Sequence, residues 1–439
     1  MKGELTGSRS QGLAGATLAF FLGLAAVALY GPTAVELRES MGMSGFFMGL
    51  LIGAPQLTGS LLRIPFGAWV DEVGGRLPML MLLTLSAVGL MGFTALMFAF
   101  YPNHLGPELY PMVLVCGLLS GCGIATFSVG VPQTAYWYAQ REQGRALGIF
   151  AGLGNTAPGL FAIVLPVALG FLALPGAYAA CLVFLMWGIA LYAVLAQDAY
   201  YFQLRQRGVP AEEAVEVARE AGQELFPPGN AKAALSRSAR NPHTWALVGL
   251  YFTSFGGFLA LSGWFPSYWR EFQGFDTRTA VILGGVGFSL LASIVTVFAG
   301  SMSDRFGGER MSLLGFSLVL GGAMGLMSAG NFPVALLCEM LIAAGMGVAN
   351  AAVFKMAAKY VPDAVGGAAG WVGGLGAFGG FAVPPILGLF VDALGKSGYA
   401  TGFAVYVVLA LISLAITWRL LGRTVAIREG VRETAVEPA

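Results

Sequence analysis

An arginine lies inside a long apolar run of the sequence, where burying its charge has an energetic cost. Arg63 belongs to the run 46–70, and Asp71 follows it by eight residues. At 1.5 Å per residue, Arg63 lies about 12 Å from Asp71 along a helix. An arginine near the centre of a bilayer costs at least ~2.5 kcal/mol. This position indicates a functional cation facing a central cavity, the alternative being a side chain that extends back to the membrane surface.

The guanidinium group restricts the chemistry that such a cavity supports. It stays protonated and presents a planar fork of donors. A planar oxyanion accepts two parallel hydrogen bonds from this fork. We therefore expect Arg63 to bind a small inorganic anion.

Two more charged residues lie within one apolar run, 333–359. Glu339 is about two turns from its outer end and is the candidate for a proton-coupling carboxylate, unless it reaches the outer interface. Lys355 is near the cytoplasmic end, where it either supplies a second positive charge in addition to Arg63 or extends to the interface.

The composition is typical of a membrane protein with many spanning helices. Hydrophobic residues make up 57% of 439 positions and charged residues 11%, whereas a soluble domain carries about 25% charged residues. A spanning helix needs about 20 mainly apolar residues. Division of the apolar runs at polar breaks predicts twelve spans, with approximate limits 13–36, 46–70, 78–101, 110–138, 146–168, 171–197, 243–268, 278–303, 311–330, 333–359, 366–391 and 399–420.

A polar segment divides these spans into two groups of six. Residues 198–241 are rich in charge and include an amphipathic helical stretch from Pro210 to Leu225. We expect a solvated cytoplasmic linker there, between an N-terminal half at 1–197 and a C-terminal half at 242–421. Residues 422–439 are expected to form a cytoplasmic tail.

Basic residues predict how the chain is oriented in the membrane. If the N terminus is cytoplasmic, only four of the 24 Lys and Arg residues lie in outer loops, namely Arg38, Arg270, Arg278 and Lys396. This bias predicts that both termini and the linker are cytoplasmic. The aromatic residues at the outer end of the seventh span are expected at the membrane interface, namely Trp264, Tyr268 and Trp269.

Short sequences recur at matching places in the two halves. GAWVDEVGGR at 67–76 is repeated as GSMSDRFGGER at 300–310. GRALGIFAGLGN at 144–155 is repeated as GGAAGWVGGLGA at 366–377. Repeated halves around a midplane site are typical of alternating-access carriers. We therefore predict an all-α membrane protein with twelve transmembrane helices in two pseudo-symmetric six-helix halves.

Other classes of function lack support in the sequence. The four cysteines lie in apolar runs without a CxxC or Cys/His cluster, and there are two histidines, so no metal, disulfide or cofactor is expected. A net charge of +1 gives no reason to expect nucleic acid. An enzyme is not expected, because the sequence shows neither a nucleophile with a base nor a phosphate loop.

Several motifs resemble one group of transporters. GAWVDEVGGR is similar to the loop signature of the major facilitator superfamily. FAGLGNTAPGLF at 150–161 and GWVGGLGAFGGFAVPP at 370–385 resemble the paired glycine-rich signatures of the nitrate/nitrite porter family. LLRIPFGAWVDEVGGR at 61–76 and NAAVFKMAAKYVPDAVG at 350–366 agree with that resemblance, which covers most of the chain. It implies the major facilitator fold, a monomeric carrier and nitrate or nitrite as substrate.

The resemblance also implies roles for single residues. Asn155 matches a family residue that contacts the anion, Phe127 and Phe255 match aromatic residues that sandwich it, and Tyr251 matches a hydroxyl donor. The alternatives are an interhelical hydrogen bond for Asn155 and ordinary packing for the aromatic residues. The residues expected to lock or move the halves are Asp71, Arg76, Asp304, Arg310, Gly152, Gly154, Gly374 and Gly376.

One position departs from the family pattern. The internal repeat relates Arg63 to position 296, where the family usually has a second arginine and this chain has Thr296. Two uncompensated arginines would disfavour reorientation of the carrier without a bound anion, and so favour exchange of one anion for another. With one arginine this penalty is smaller. We therefore expect a less strict exchange, and proton-linked transport and uniport remain alternatives.

The resulting expectation is a secondary transporter of the cell (inner) membrane that moves nitrate and/or nitrite by alternating access. Thr296 keeps a second substrate class open, a small monovalent anion such as formate or another monocarboxylate.

Overall fold

The computed structural model describes residues 5–139, 142–227, 231–328, 330–361 and 365–434. These residues form helices and connecting turns, and no strand occurs among them. Helices satisfy their backbone hydrogen bonds internally, which a chain must do inside a hydrocarbon core.

The N-terminal half contains helices that combine into longer spans. α3 and α4 follow each other through Leu62, and a 3-10 turn at Cys122–Ala125 joins α6 to α7. Another 3-10 turn, Pro107–Leu109, precedes α6. The helices are α1 (Arg9–Ala25), α2 (Ala34–Met41), α3 (Gly45–Leu61), α4 (Arg63–Val73), α5 (Arg76–Phe100), α6 (Tyr110–Gly121), α7 (Thr126–Trp137), α8 (Gln143–Gly154) and α9 (Ala157–Leu195).

The linker contains three short helices, α10 (Tyr200–Gln206), α11 (Ala211–Glu220) and α12 (Ala231–Ala239). The C-terminal half follows, with π-helical stretches at Phe252–Gly256, Tyr268–Phe272 and Leu283–Leu290. Its α-helices are α13 (Pro242–Tyr251), α14 (Gly257–Ser267), α15 (Thr277–Ile282), α16 (Leu291–Phe306), α17 (Gly308–Ser328), α18 (Phe332–Tyr360), α19 (Val365–Ala377), α20 (Gly379–Leu394), α21 (Gly398–Thr401) and α22 (Ala404–Thr434).

Ten helical stretches in the described part of the chain are long and apolar enough to cross a membrane. Two features account for the difference from the twelve predicted spans. α1 has 17 residues and gives way to turns after Ala25. The predicted fifth and sixth spans are merged into one stretch, Arg145–Leu195, with a non-helical residue at Ala173. α22 continues to Thr434, within the predicted tail.

Two hydrophobic cores correspond to the two halves. One core contains buried residues between Ala16 and Phe202, together with Val281. The other contains buried residues between Leu247 and Leu420, together with a few from α2 and α3, such as Met48. The halves therefore pack around separate cores, and residues of α2 and α3 join the core of the C-terminal half.

On the predicted outer side, the halves approach to backbone contact. A Cβ atom at Gly49 of α3 would lie 2.2 Å from the carbonyl oxygen of Pro384 in α20. A Cβ atom at Gly31 would lie 2.4 Å from the Cα atom of Gly263 in α14. Only glycine permits such an approach between helices. The outer side of the interface is closed.

Candidate functional site

Arg63 is the first residue of α4 and is completely buried. Its side chain therefore does not extend to the surface of the protein. A fully buried charge is unfavourable unless it is paired or hydrogen-bonded. The groups around this guanidinium consequently define the candidate site.

The guanidinium of Arg63 is only partly satisfied by the protein. Nη1 donates a hydrogen bond of 2.9 Å to the carbonyl oxygen of Gly373, which lies in α19 of the other half. The hydroxyl of Tyr251 is also an electrostatic and hydrogen-bonding neighbour. Nε and Nη2 have no partner among the described residues. Two donors are thus available to an acceptor that enters the site.

Two aromatic rings flank the guanidinium, one from each half. The Cζ atom of Arg63 lies 5.0 Å from the ring centroids of Phe127 and of Phe255. These rings are 6.1 Å apart at an interplanar angle of 28°. A planar guest between them needs van der Waals contact of about 3.5 Å on each side, or about 7 Å in total. The rings must therefore separate by about 1 Å to admit one.

A cavity of about 260 Å³ extends from Arg63 towards the predicted cytoplasmic side. It is lined by residues of α4, α7 and α19, and Asp71 and Tyr136 lie on its wall. The linker residues Leu225, Ala234 and Leu235 also line this cavity. The site is thus enclosed on the predicted outer side and reached from the predicted cytoplasmic side.

The sequence predicts a solvated linker. Part of the linker packs against the C-terminal half. Trp371 Nε1 in α19 donates a hydrogen bond of 3.0 Å to the carbonyl oxygen of Leu235 in α12. A Cβ atom at Gly367 would lie 2.3 Å from the carbonyl oxygen of Ala234. α12 therefore packs on α19. Its residues Ala234 and Leu235 line the cavity.

Two of the other candidate binding residues lie at α16, since Asn155 contacts this helix and Thr296 belongs to it. Asn155 follows α8, and its side-chain Oδ1 is buried without a partner among the described residues. Its carbonyl oxygen accepts a hydrogen bond of 3.1 Å from Ser293 Oγ. Thr296 is half-buried, and its Oγ1 donates to the carbonyl oxygen of Ala292 at 2.8 Å. The described contacts thus bring Arg63 together with Phe127, Tyr251 and Phe255, whereas those of Asn155 and Thr296 are with α16.

The charged residues of the first repeat make contacts within the N-terminal half. Tyr136 donates a hydrogen bond of 2.6 Å to Asp71. Arg76 Nη2 donates to the carbonyl oxygen of Ala193 at 2.7 Å, and its backbone N–H donates to Asp198 at 2.9 Å. Burial raises the pKa of the Asp198 carboxyl, and the hydrogen bond from the Arg76 backbone N–H opposes that shift. The expected role in locking the halves together stays a prediction.

The second repeat differs from the first. Arg310 is exposed, and the side chain of Asp304 lies outside the part of the chain that the structure describes. Glu309 is buried instead, pairs with Lys359 and accepts a hydrogen bond of 2.6 Å from Tyr360. Sequence reasoning missed Glu309, because only its burial distinguishes it from a loop acid.

The four glycines of the second repeated motif each permit a close contact. A Cβ atom at Gly152 would lie 2.6 Å from Val297, and one at Gly374 would lie 2.8 Å from Ile64, both across the halves. The equivalent distances are 2.1 Å from Gly154 to Phe20 and 2.7 Å from Gly376 to Tyr251. Phe20 in turn packs on Phe127 at 5.1 Å. Gly154 and Gly376 therefore permit close packing of Phe20 and Tyr251 next to the candidate site.

Glu339 and Lys355 lie apart from one another on α18. Glu339 is completely buried, and its Oε2 accepts a hydrogen bond of 3.0 Å from Trp269 Nε1. Its Oε1 has no partner among the described residues. Lys355 is half-buried. The expectation of an interfacial aromatic belt was wrong for Trp264, Tyr268 and Trp269, which are completely buried, because they face neighbouring helices.

Comparison with known proteins found relatives along nearly the whole chain. The probable nitrate/nitrite antiporter NarK1 of Thermus thermophilus is 28% identical, over 92% of this chain and 89% of that protein. The probable nitrate/nitrite transporter NarK2 of Mycobacterium tuberculosis is 28% identical, over 89% and 91%. The nitrite extrusion protein of Bacillus subtilis is 27% identical, over 84% of each chain.

The fold also has counterparts among solved structures. A partially occluded inward open conformation of the xylose transporter XylE from E. coli gives a TM-score of 0.71 at 16% identity, covering 94% of this chain and 99% of that one. At this identity the likeness concerns the fold alone. A sequence model of the Major Facilitator Superfamily matches residues 16–291 and 277–438. Sequence and fold agree, and the chain belongs to the Major Facilitator Superfamily.

Proposed function

We propose that this protein is a secondary transporter that carries nitrate and/or nitrite across the cell membrane, with Arg63 as the anion-binding residue. The single observation that carries this proposal is the buried guanidinium at the interface of the halves, with Nε and Nη2 unpartnered. Two adjacent donors of a planar fork match a planar oxyanion. The names of the relatives support nitrate and nitrite as the anions.

The flanking groups favour a flat, delocalised anion. Phe127 and Phe255 offer ring faces to a planar guest, and Tyr251 offers a hydroxyl beside the guanidinium. Asn155 has a buried amide whose oxygen has no partner among the described residues, and its amide nitrogen is a hydrogen-bond donor of the kind that an anion requires. We propose that these residues complete the anion site when the halves rock.

Alternating access follows from the position of the site between the halves. Arg63 is separated from the outer side by the close contact of α3 with α20, and a cavity leads from it towards the cytoplasmic side. Rocking of the halves would open the outer side and close this cavity. The hydrogen bond from Arg63 Nη1 to Gly373 joins the halves and leaves Nε and Nη2 for the anion.

The coupling mechanism rests on two residues. Thr296 supplies no second fixed charge, which favours a less strict exchange than a site with two arginines. Glu339 is a buried acid without a cation among its described contacts. An ionisable residue inside a spanning segment is a candidate functional group, so we propose Glu339 as the proton-coupling group. We further propose a monomer with both termini cytoplasmic.

A second substrate class follows from the same observation at Thr296. With one arginine, the site provides one bidentate contact, which formate or another small monocarboxylate also satisfies. Nitrate and a carboxylate therefore differ at this site mainly in how they pack between the two aromatic rings.

Uptake of labelled nitrate into proteoliposomes tests the proposal. We expect uptake above that of protein-free vesicles and competition by excess nitrite. Stronger competition by formate would support the second class, and no uptake under any gradient would refute both. A pH gradient and internal nitrite, applied separately, distinguish proton coupling from exchange. Counterflow that requires anion on both sides would refute the less strict exchange.

A further inference from the structure

Three groups of polar contacts among the described residues join the two halves on the predicted outer side. Arg270, after α14, forms an ion pair with Glu36 in α2. Arg38 Nη1, also in α2, donates a hydrogen bond of 3.0 Å to the hydroxyl of Tyr399. Asp392 in α20 accepts hydrogen bonds from the backbone N–H groups at the start of α3. Each contact requires the outer ends of the halves to stay together.

The contact of Asp392 differs from the other two because its donors are backbone groups. α3 begins at Gly45, and the first N–H groups of a helix have no acceptor within the helix. Asp392 Oδ1 accepts from the Gly45 N–H, and Oδ2 accepts from the Phe46 N–H at 2.8 Å. Ser44 supplies only one further cap, a 3.4 Å hydrogen bond from Phe47. A residue of one half thus caps a helix of the other.

The geometry of this cap depends on the closed outer interface. A Cβ atom at Gly388, one turn before Asp392, would lie 2.0 Å from the carbonyl oxygen of Gly45. The carboxylate reaches the start of α3 because α3 and α20 are in backbone contact there. A carboxylate at a helix N terminus is also favoured by the helix dipole. Separation of the outer ends removes both hydrogen bonds and this charge interaction together.

We propose that Asp392 is a conformational latch that stabilises the outward-closed state by capping α3 from the opposite half. Opening to the outside leaves the first N–H groups of α3 to water. Removal of the carboxylate charge therefore shifts the population towards the outward-open state. This inference does not depend on which anion the protein carries.

The matched control is another acidic helix cap on the same side of the protein. Asp276 accepts from the Thr279 N–H at 3.1 Å and from Thr279 Oγ1 at 2.7 Å, both within the start of its own helix, α15. Asp276→Asn therefore weakens a helix cap whose own hydrogen bonds lie within one half. Asp392→Asn keeps the size of the side chain, and Asp392→Glu restores its charge.

Hydrogen–deuterium exchange of the full-length protein in nanodiscs, without added anion, tests the latch. For Asp392→Asn we expect a two- to fivefold increase in amide exchange, about the effect of one charge at a helix end, across 45–55 and 384–394. We also expect lower exchange at 367–373, which line the cytoplasmic cavity, and restoration by Asp392→Glu. An increase confined to 45–48, or the same pattern in Asp276→Asn, would show a simple helix cap and overturn the proposal, as would unchanged exchange.

Discussion

Replacement of Arg63 by lysine tests the fork of donors without removing the charge. In the structure, Nη1 is bonded to Gly373, and Nε and Nη2 remain for the anion. A lysine ammonium presents a point charge, so one of two parallel hydrogen bonds is lost. A hydrogen bond to a charged group contributes about 1.5–3 kcal/mol, which corresponds to a roughly 10- to 150-fold weaker affinity for nitrate.

The assay is the concentration dependence of nitrate uptake into proteoliposomes that contain matched amounts of protein. Arg305→Lys is the control, because Arg305 is exposed and also lies over an aromatic ring, that of Phe306, at 5.3 Å. We expect the KM for nitrate to rise in Arg63→Lys and to stay unchanged in Arg305→Lys. An unchanged KM in Arg63→Lys would show that two parallel hydrogen bonds do not hold the anion.

Three further predictions concern Asn155, Glu339 and Gly154. Asn155→Ala should raise the KM for nitrate about two- to tenfold, the value of one ordinary hydrogen bond; an unchanged KM in uptake assays would assign Asn155 to helix packing. Glu339→Gln keeps an acceptor for Trp269 and should abolish the pH dependence of uptake; a pH profile like that of the wild type would exclude Glu339 as the coupling group. Gly154→Ala should lower the thermal unfolding temperature, because its Cβ would lie 2.1 Å from Phe20 and overpacking costs about 1–3 kcal/mol. Gly300→Ala, with no atom within 4 Å of the added Cβ, should not lower it; equal shifts in a thermal-unfolding assay would contradict this packing.

The general architecture could be predicted because the bilayer imposes it. Apolar runs of about 20 residues have few structural solutions other than spanning helices. The predicted limits fail where helices break or merge, as at Ala173 and after Ala25. Those breaks depend on local backbone geometry, which hydropathy does not report.

The depth of Arg63 could be inferred from its distance to Asp71, but its partners could not. Gly373 is 310 residues away in the chain, and its carbonyl gives no signal in the sequence. The aromatic partners were proposed from the family resemblance, because a phenylalanine in an apolar run is usually packing. The contacts arise from how the two halves meet, which is a tertiary property.

One expectation failed because position along a helix does not determine which way a side chain faces. Trp269 is near the end of its span, where tryptophan is common at the interface, yet it faces α18 and donates to Glu339. The linker has the charge of a solvated segment, yet Leu225 and Leu235 line the cavity. Which linker residues meet the cavity depends on tertiary packing, which the composition of the linker does not report.

A high-resolution structure determined with saturating nitrate tests directly whether Arg63 binds the anion. We expect planar density within hydrogen-bonding distance of Arg63 Nε and Nη2, with the centroids of Phe127 and Phe255 moved from 6.1 Å to about 7 Å. Density for the anion elsewhere, or an Arg63 side chain that faces lipid or pairs with a carboxylate, would contradict the account.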